Sequence, residues 1–257
     1  MRTRDLVRRH LLIGAAMLLL GSAVAPVVAA ETLLVIGATG GTGREVVRQA
    51  EARGLKVRAF VRDEARARAT LGERIEYVEG DVRSGTGIDV AMHGVDYVVS
   101  ALGSNVRVDA QNTPEKVDYE GIRKLAETAA RTGVRHFVLV SSMGVTHEDH
   151  PLNKMFGNIL VWKLKGENAL RASGVPYTVV RPGGLLDTAG GATGVKVFQG
   201  DDLRNQGRIA RADVATVCLA ALGNAAAINK TFELVADESA ASSDLKTIFA
   251  GLKSDAR

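Results

Sequence analysis

The chain has 257 residues, of which 46% are hydrophobic and 24% charged, so it is long and apolar enough for one α/β domain with a sizeable core. That balance excludes a disordered, collagen-like or coiled-coil body. The formal charge is +4, but Arg2, Arg4, Arg8 and Arg9 against Asp5 place most of it in the first ten residues; from Glu31 onward 29 Lys and Arg face 28 Asp and Glu, which is no basis for nucleic-acid binding.

The first thirty residues read as a leader. Residues 11–30 carry no charge, a basic stretch precedes them, and Val28-Ala29-Ala30 supplies small residues at cleavage spacing. A signal peptide over 1–30, cleaved before Glu31, is the expectation. Arg8-Arg9-His10-Leu11-Leu12 resembles a twin-arginine export signal, with Val7 where a polar residue is usual. This predicts a periplasmic or exported protein. The rivals are an uncleaved anchor, which Gly14, Gly21, Ser22 and Pro26 make a weak span, and a misassigned start that would leave the protein cytoplasmic.

From Glu31 the pattern alternates between β-branched runs and helical stretches that end in glycine. Strand one is predicted over 32–36 and a helix over 42–53, closed by Gly54. A strand at 55–61, a short helix at 63–71 and strands at 75–79 and 96–100 follow. Thr113-Pro114 opens a long helix ending at Gly133. A strand at 136–141, a helix over 152–172 and a strand at 177–180 come next. Helices at 212–222 and 245–252 flank a last strand at 231–235, and the Gly- and Asp-rich 183–207 is the loosest stretch. This alternation predicts a Rossmann-type doubly wound parallel sheet in a single domain over 31–257.

The strongest chemical signal is Gly37-Ala38-Thr39-Gly40-Gly41-Thr42-Gly43-Arg44 between the first strand and first helix. Gly37 permits a tight turn, Gly40 lets backbone approach a pyrophosphate, and Gly43 lets helix pack on strand; the loop, with Thr39, Gly41 and Thr42, presents free N–H groups to phosphates. Strand two ends Phe60-Val61-Arg62-Asp63. An NAD-specific site carries an acidic residue there; Arg62 instead suits a 2′-phosphate, with Arg44 assisting, which predicts NADP. Asp63 could equally be a helix cap.

Taken together, GATGGTGR, AFVRD, EGDV at 79–82, VVSALG at 98–103, VDYEG at 117–121, HFVLVSSMG at 136–144, WKLKGENALRASGVPYTVVRPGGLLD at 162–187 and RADVA at 211–215 carry a resemblance. The chain resembles an atypical short-chain dehydrogenase/reductase of the NAD(P)H-binding, NmrA-like kind, from Glu31 to about Val235. The resemblance implies that Asp81 and Val82 lie beside the adenine and that Ala101, Leu102 and Gly103 line the ribose and pyrophosphate. It places Ser141 and Lys163 near the nicotinamide ribose and Pro182 and Gly183 near the amide. Typical members pair a Tyr proton donor with a Lys four residues on and a Ser after strand five. Ser142 and Lys163 align with the Ser and Lys, but Ile159 stands at the Tyr position, and Tyr77, Tyr97, Tyr119 and Tyr177 lack the spacing.

The remaining residues add little chemistry. Cys218, the sole cysteine, sits in an apolar helix and reads as core, so no internal disulfide or multi-cysteine metal site can form. The five histidines show no metal spacing; the loop His147-Glu148-Asp149-His150 could reach a substrate or bind metal weakly at HxxH spacing, but reads first as a solvated loop. Arg211 and Asp213 are expected to cap or pair at a helix start, and Met143 and Trp162 to pack at the core or rim. No GxSxG elbow is present, against an α/β-hydrolase. The expected function is an NADP-dependent oxidoreductase passing hydride to a flavin, quinone or small carbonyl acceptor. The alternative is a non-catalytic NADP(H)-binding redox sensor or interaction module; an epimerase is disfavoured by the absent Tyr. A small-molecule substrate, no nucleic acid, membrane contact only through an uncleaved leader, and a monomer or homodimer complete the expectation.

Overall fold

The computed structural model describes residues 30–245 and 247–256. The predicted leader lies outside the described residues. Among the described residues, ten strands and seven α-helices run in chain order: β1 Thr32–Ile36, α1 Gly41–Ala52, β2 Lys56–Val61, α2 Glu64–Leu71, β3 Glu76–Glu79, α3 Ile88–Met92, β4 Tyr97–Ser100, a π-helical segment Glu115–Gly121 continuous with α4 Ile122–Thr132, β5 His136–Val140, α5 Pro151–Met155, α6 Ile159–Ala172, β6 Tyr177–Pro182, β7 Gly184–Leu186, β8 Gly194–Phe198, β9 Arg208–Ala210, α7 Arg211–Ala221 and β10 Lys230–Asp237.

Eight strands form the main sheet in the order β3-β2-β1-β4-β5-β6-β10-β8, all parallel except β8, which runs antiparallel to β10. The reversal of strand order beside β1 opens a crevice at the carboxyl ends of β1 and β4, where ligands of this fold bind. Period-two alternation divides the core. Leu33 and Val35 of β1 face α1 and α7, while Leu34 and Ile36 face α3 and α4, giving one apolar cluster on each side of the sheet. Strand β1 is buried throughout, as a central parallel strand requires.

The structure corrects three sequence readings. The helix predicted over 152–172 is two helices, because Gly157 and Asn158 adopt left-handed φ of 62° and 59° and the Asn153 side chain accepts from the Leu160 backbone N–H at 2.9 Å, capping α6. Residues 245 and 247–251 form turns in place of the helix predicted over 245–252, with Lys230 Nζ bonding the carbonyls of Phe249 and Leu252 at 3.1 and 2.6 Å while Phe249 stays fully buried against Phe232. The stretch 183–207 contains β7 and β8, and β7 pairs with β9 beside the main sheet.

Candidate functional site

The turn from β1 into α1 is built for close approach. Gly37 has φ +77°, and a Cβ there would lie 2.8 Å from the Ala101 carbonyl oxygen. A Cβ on Gly43 would lie 2.1 Å from the Gly37 carbonyl oxygen, so only glycine lets α1 pack this tightly on the turn. Gly40 N–H donates to the Gly37 carbonyl at 3.0 Å. As N-cap of α1, Gly40 offers no side-chain cap, and the first turn carries no acidic residue. Thr39 and Gly40 are exposed and Thr42 and Gly43 buried, so the bare helix N-terminus faces the crevice. This uncapped, glycine-lined cradle fits a dinucleotide pyrophosphate.

One end of the crevice is lined by Phe60 and Val61 from β2 and Arg62 just after it, by Asp81, Val82 and Arg83 after β3, and by Ala101, Leu102 and Gly103 after β4. Arg62 stands on its edge, half exposed, with a loose 3.5 Å pair to Asp109. Arg83 binds Asp81 at 2.6 Å and Asp109 at 2.7 Å. Burial alone would push the Asp81 carboxyl up, but the Arg83 guanidinium outweighs it and holds Asp81 below the usual range. Asp63 caps α2 by accepting from Arg66 N–H at 2.9 Å. Arg44, expected to assist Arg62, lines a separate hollow with Gly41, Arg48 and Glu51.

The other end is a groove of about 900 Å³. Ser142 and Met143 enter it after β5, Ile159 and Lys163 from α6, and Pro182 and Gly183 at the end of β6. Gly183 is required by contact, since a Cβ there would lie 2.3 Å from the Gly207 carbonyl oxygen. Lys163 is no surface charge: its Nζ binds the Asp118 carboxylate at 2.7 Å, and Asp118 is nearly inaccessible. Ser104 N–H donates to the second Asp118 oxygen at 3.2 Å. The Ser142 hydroxyl donates to the Met143 carbonyl at 3.0 Å. Ser141, expected near the ribose, instead turns inward and donates to Glu167 at 2.6 Å, inside a buried cluster with Arg181 and Glu233.

Other residues differ from their sequence reading in partner. Arg211 pairs with Asp187 at 3.1 Å and its side chain lies against Gly41, while Asp213 accepts from Gly191 N–H at 2.7 Å, so both fasten the 187–191 loop rather than α7 itself. Trp162 stacks on Tyr119 with 5.9 Å between ring centroids, and Met143 is buried at the groove wall. Burial pushes the Cys218 thiol up to about 12, leaving it an inert core group. His147 is tied down through Nε2 to the Asp201 carbonyl at 2.8 Å, and His150 lines the groove. Among the described residues no group of three or more His, Cys, Asp or Glu side chains could hold a metal ion, and no helix is long and apolar enough to cross a membrane. Arg83 and Asp118 were not singled out as site residues by sequence reasoning, and His150 only as part of a loop that could reach a substrate. Arg83 had a local signal, two positions after Asp81; Asp118 lay inside a quoted motif without a role.

Comparison with known proteins agrees with this geometry. Residues 37–225 match the sequence model of a family described as NAD(P)H-binding. Sanguinarine reductase of Eschscholzia californica is 36% identical over 241 residues, spanning 79% of this chain and 88% of that protein. A putative NAD-dependent epimerase/dehydratase from Bacillus halodurans superposes with a TM-score of 0.73 at 27% identity, covering 86% of this chain and 99% of that one. The anaerobillin reductase ChuY from Escherichia coli O157:H7 gives a TM-score of 0.66 at 25% identity, covering 80% and 98%.

Proposed function

This chain belongs to the NAD(P)H-binding family of atypical short-chain dehydrogenase/reductases, and on that premise we propose that it is an NADP-dependent reductase of a quinone, flavin or small carbonyl acceptor. The observation that carries the reading is the adjacency of two hollows that share Asn105: one with a phosphate cradle at Gly37–Gly43 and a basic edge at Arg62, the other a groove holding Ser142, Lys163 and Pro182. NADPH, when bound, supplies the hydride. Arg62 and Arg83 would hold the 2′-phosphate, which competes with Asp109 for them. Asp118 orients Lys163 toward the ribose, and Pro182 and Gly183 form the wall against which a nicotinamide would lie. Met143, Leu160 and Phe156 give the groove its apolar lining. Two reductases among the relatives support the reaction class.

A charge-assisted contact contributes about 1.5–3 kcal/mol, so NADPH should bind roughly ten- to a hundredfold more tightly than NADH. Titration of both nucleotides against wild type and Arg62→Ala tests this: the variant should lose the preference, and equal affinities in wild type would refute it. Tight NADPH binding without turnover of any quinone, flavin or carbonyl would support the sensor alternative, which Ile159 at the donor position favours. The predicted leader supports export. An exported form beginning at Glu31 is the expected result of N-terminal sequencing, whereas an intact chain in the membrane fraction would mean an anchor.

A further inference from the structure

A buried carboxylate anchors the loop after β5. Asp201, buried and at a left-handed φ of 52°, accepts from Gly144 N–H at 2.6 Å and from the Thr146 N–H and hydroxyl at 2.8 Å each. The Asn153 side chain ties the same loop by donating to the Glu148 carbonyl at 2.9 Å. The loop delivers His150 to the N-cap of α5, where its Nδ1 accepts the Leu152 N–H at 3.2 Å. A ring nitrogen that accepts an N–H carries no proton, so the proton of the neutral imidazole is on Nε2. The ring lies over Gly144, whose missing Cβ would sit 3.4 Å from Nε2. It shares the groove with Ser142, Met143, Ile159 and Lys163.

We propose that His150 is a catalytic residue of the reductase reading given above: a neutral hydrogen-bond donor, through Nε2–H, to the acceptor oxygen, in the groove where Ile159 supplies no hydroxyl. A carbonyl acceptor gains one C–H bond from the two-electron hydride and its C=O π pair moves onto oxygen; a quinone that takes the hydride at one carbonyl oxygen passes its π electrons through the ring onto the second oxygen; in either case NADPH is oxidised to NADP⁺. His150 Nε2–H stabilises the charge that develops on that oxygen. The proton that neutralises the oxygen comes from water. His150 keeps its own proton, because losing it with Nδ1 committed to Leu152 would leave an imidazolate. Neutral imidazole acting as a donor in this way is an established catalytic device.

The test uses the full chain and menadione as acceptor. His150→Asn retains a side-chain oxygen able to cap Leu152, since Asn is among the best N-caps, but withdraws the Nε2–H. The variant should bind NADPH as wild type does and lose about a hundredfold in kcat with little change in KM. Nitrogen-15 NMR of the imidazoles, with the His150 signal identified by its loss in the variant, should show protonation on Nε2 and a shift of that signal when menadione is added to the NADP⁺ complex. Wild-type kcat in the variant, a proton on Nδ1, or a His150 signal unmoved by menadione would each overturn the proposal. Failure of wild type to bind NADPH would instead remove the reductase reading beneath it.

Discussion

Gly43 shows how much a single side-chain atom decides at the nucleotide loop. Its position 2.1 Å from the Gly37 carbonyl oxygen, measured to the Cβ it lacks, leaves nothing flexible to yield, since the obstructing atom is backbone. Gly43→Ala must push α1 off the turn or open the Gly37–Gly40 hydrogen bond. Overpacking of this kind costs about 1–3 kcal/mol, and the displaced helix N-terminus no longer meets the phosphates. The expected outcome is a lower melting temperature together with a loss of NADPH affinity of at least about tenfold, the equivalent of 1.4 kcal/mol. An alanine variant that melts lower yet binds NADPH normally would show that the loop is a structural turn and not the phosphate site. Gly40 makes a milder demand, with its missing Cβ 3.3 Å from the same oxygen. The spacing of the three glycines is thus legible in sequence because each answers a backbone constraint, whereas Arg44, adjacent in sequence, faces another hollow because one step along α1 turns a side chain by about 100°.

Between elements, the buried charges decide geometry that hydrophobic periodicity cannot show. The helix read from Thr113-Pro114 to Gly133 exists, but Glu115–Gly121 is wound as a π-helix, and this turn buries the Asp118 carboxylate against Lys163. Gly166 permits the approach, since its Cβ would lie 2.1 Å from the Asp118 carbonyl oxygen. An inserted π turn shifts the apolar period by a single position while the pattern stays helical, so the sequence located the helix and not its function. The same applies to Ser141 and Ser142: neighbours on an extended chain point to opposite sides, and which one enters the groove depended on Glu167, 26 residues further on. Arg181 joins Glu167 at 2.7 Å and Glu233 at 3.1 Å, and Arg171 adds a 2.9 Å pair to Glu167, so α6 is welded to β6 and β10. Desolvation pushes the Glu233 carboxyl up, against the pull of Arg181. Removing the cation from such a buried cluster strands its carboxylates, at a cost of about 3–5 kcal/mol. Arg181→Met should therefore lower unfolding free energy by that amount in urea titration, and it should raise KM for the acceptor as the end of β5 that carries Ser142 loosens. A variant as stable as wild type would mean that the cluster carries no net cohesion.

For the molecule as a whole, acid stability turns on His136 at the start of β5. The ring is fully buried and spans three elements. Its Nδ1 accepts from Gly223 N–H at 3.2 Å, just past α7, and its Nε2 meets the Thr178 hydroxyl of β6 at 2.9 Å. Thr178 donates its own proton to the Ala227 carbonyl at 2.6 Å, so the imidazole must be the donor to Thr178 and carries its proton on Nε2. A second proton on Nδ1 would break the bond from Gly223. Burial lowers the His136 pKa from 6.5 to about 4, against smaller backbone hydrogen-bond effects that raise it. The unfolded chain therefore binds a proton that the fold refuses: the contribution of neutral His136 is full above pH 6.5, declines as the pH falls below it, and is lost by about pH 4. At 1.36 kcal/mol per unit, the loss is about 3 kcal/mol. His136→Gln, which can donate to Thr178 without titrating, should be less stable than wild type at neutral pH but should close that gap as the pH is lowered through this window. Urea titrations of both proteins across it provide the measurement, and a wild-type profile that runs parallel to that of the variant would mean that the ring is protonated in the fold, or that the acid sensitivity resides elsewhere.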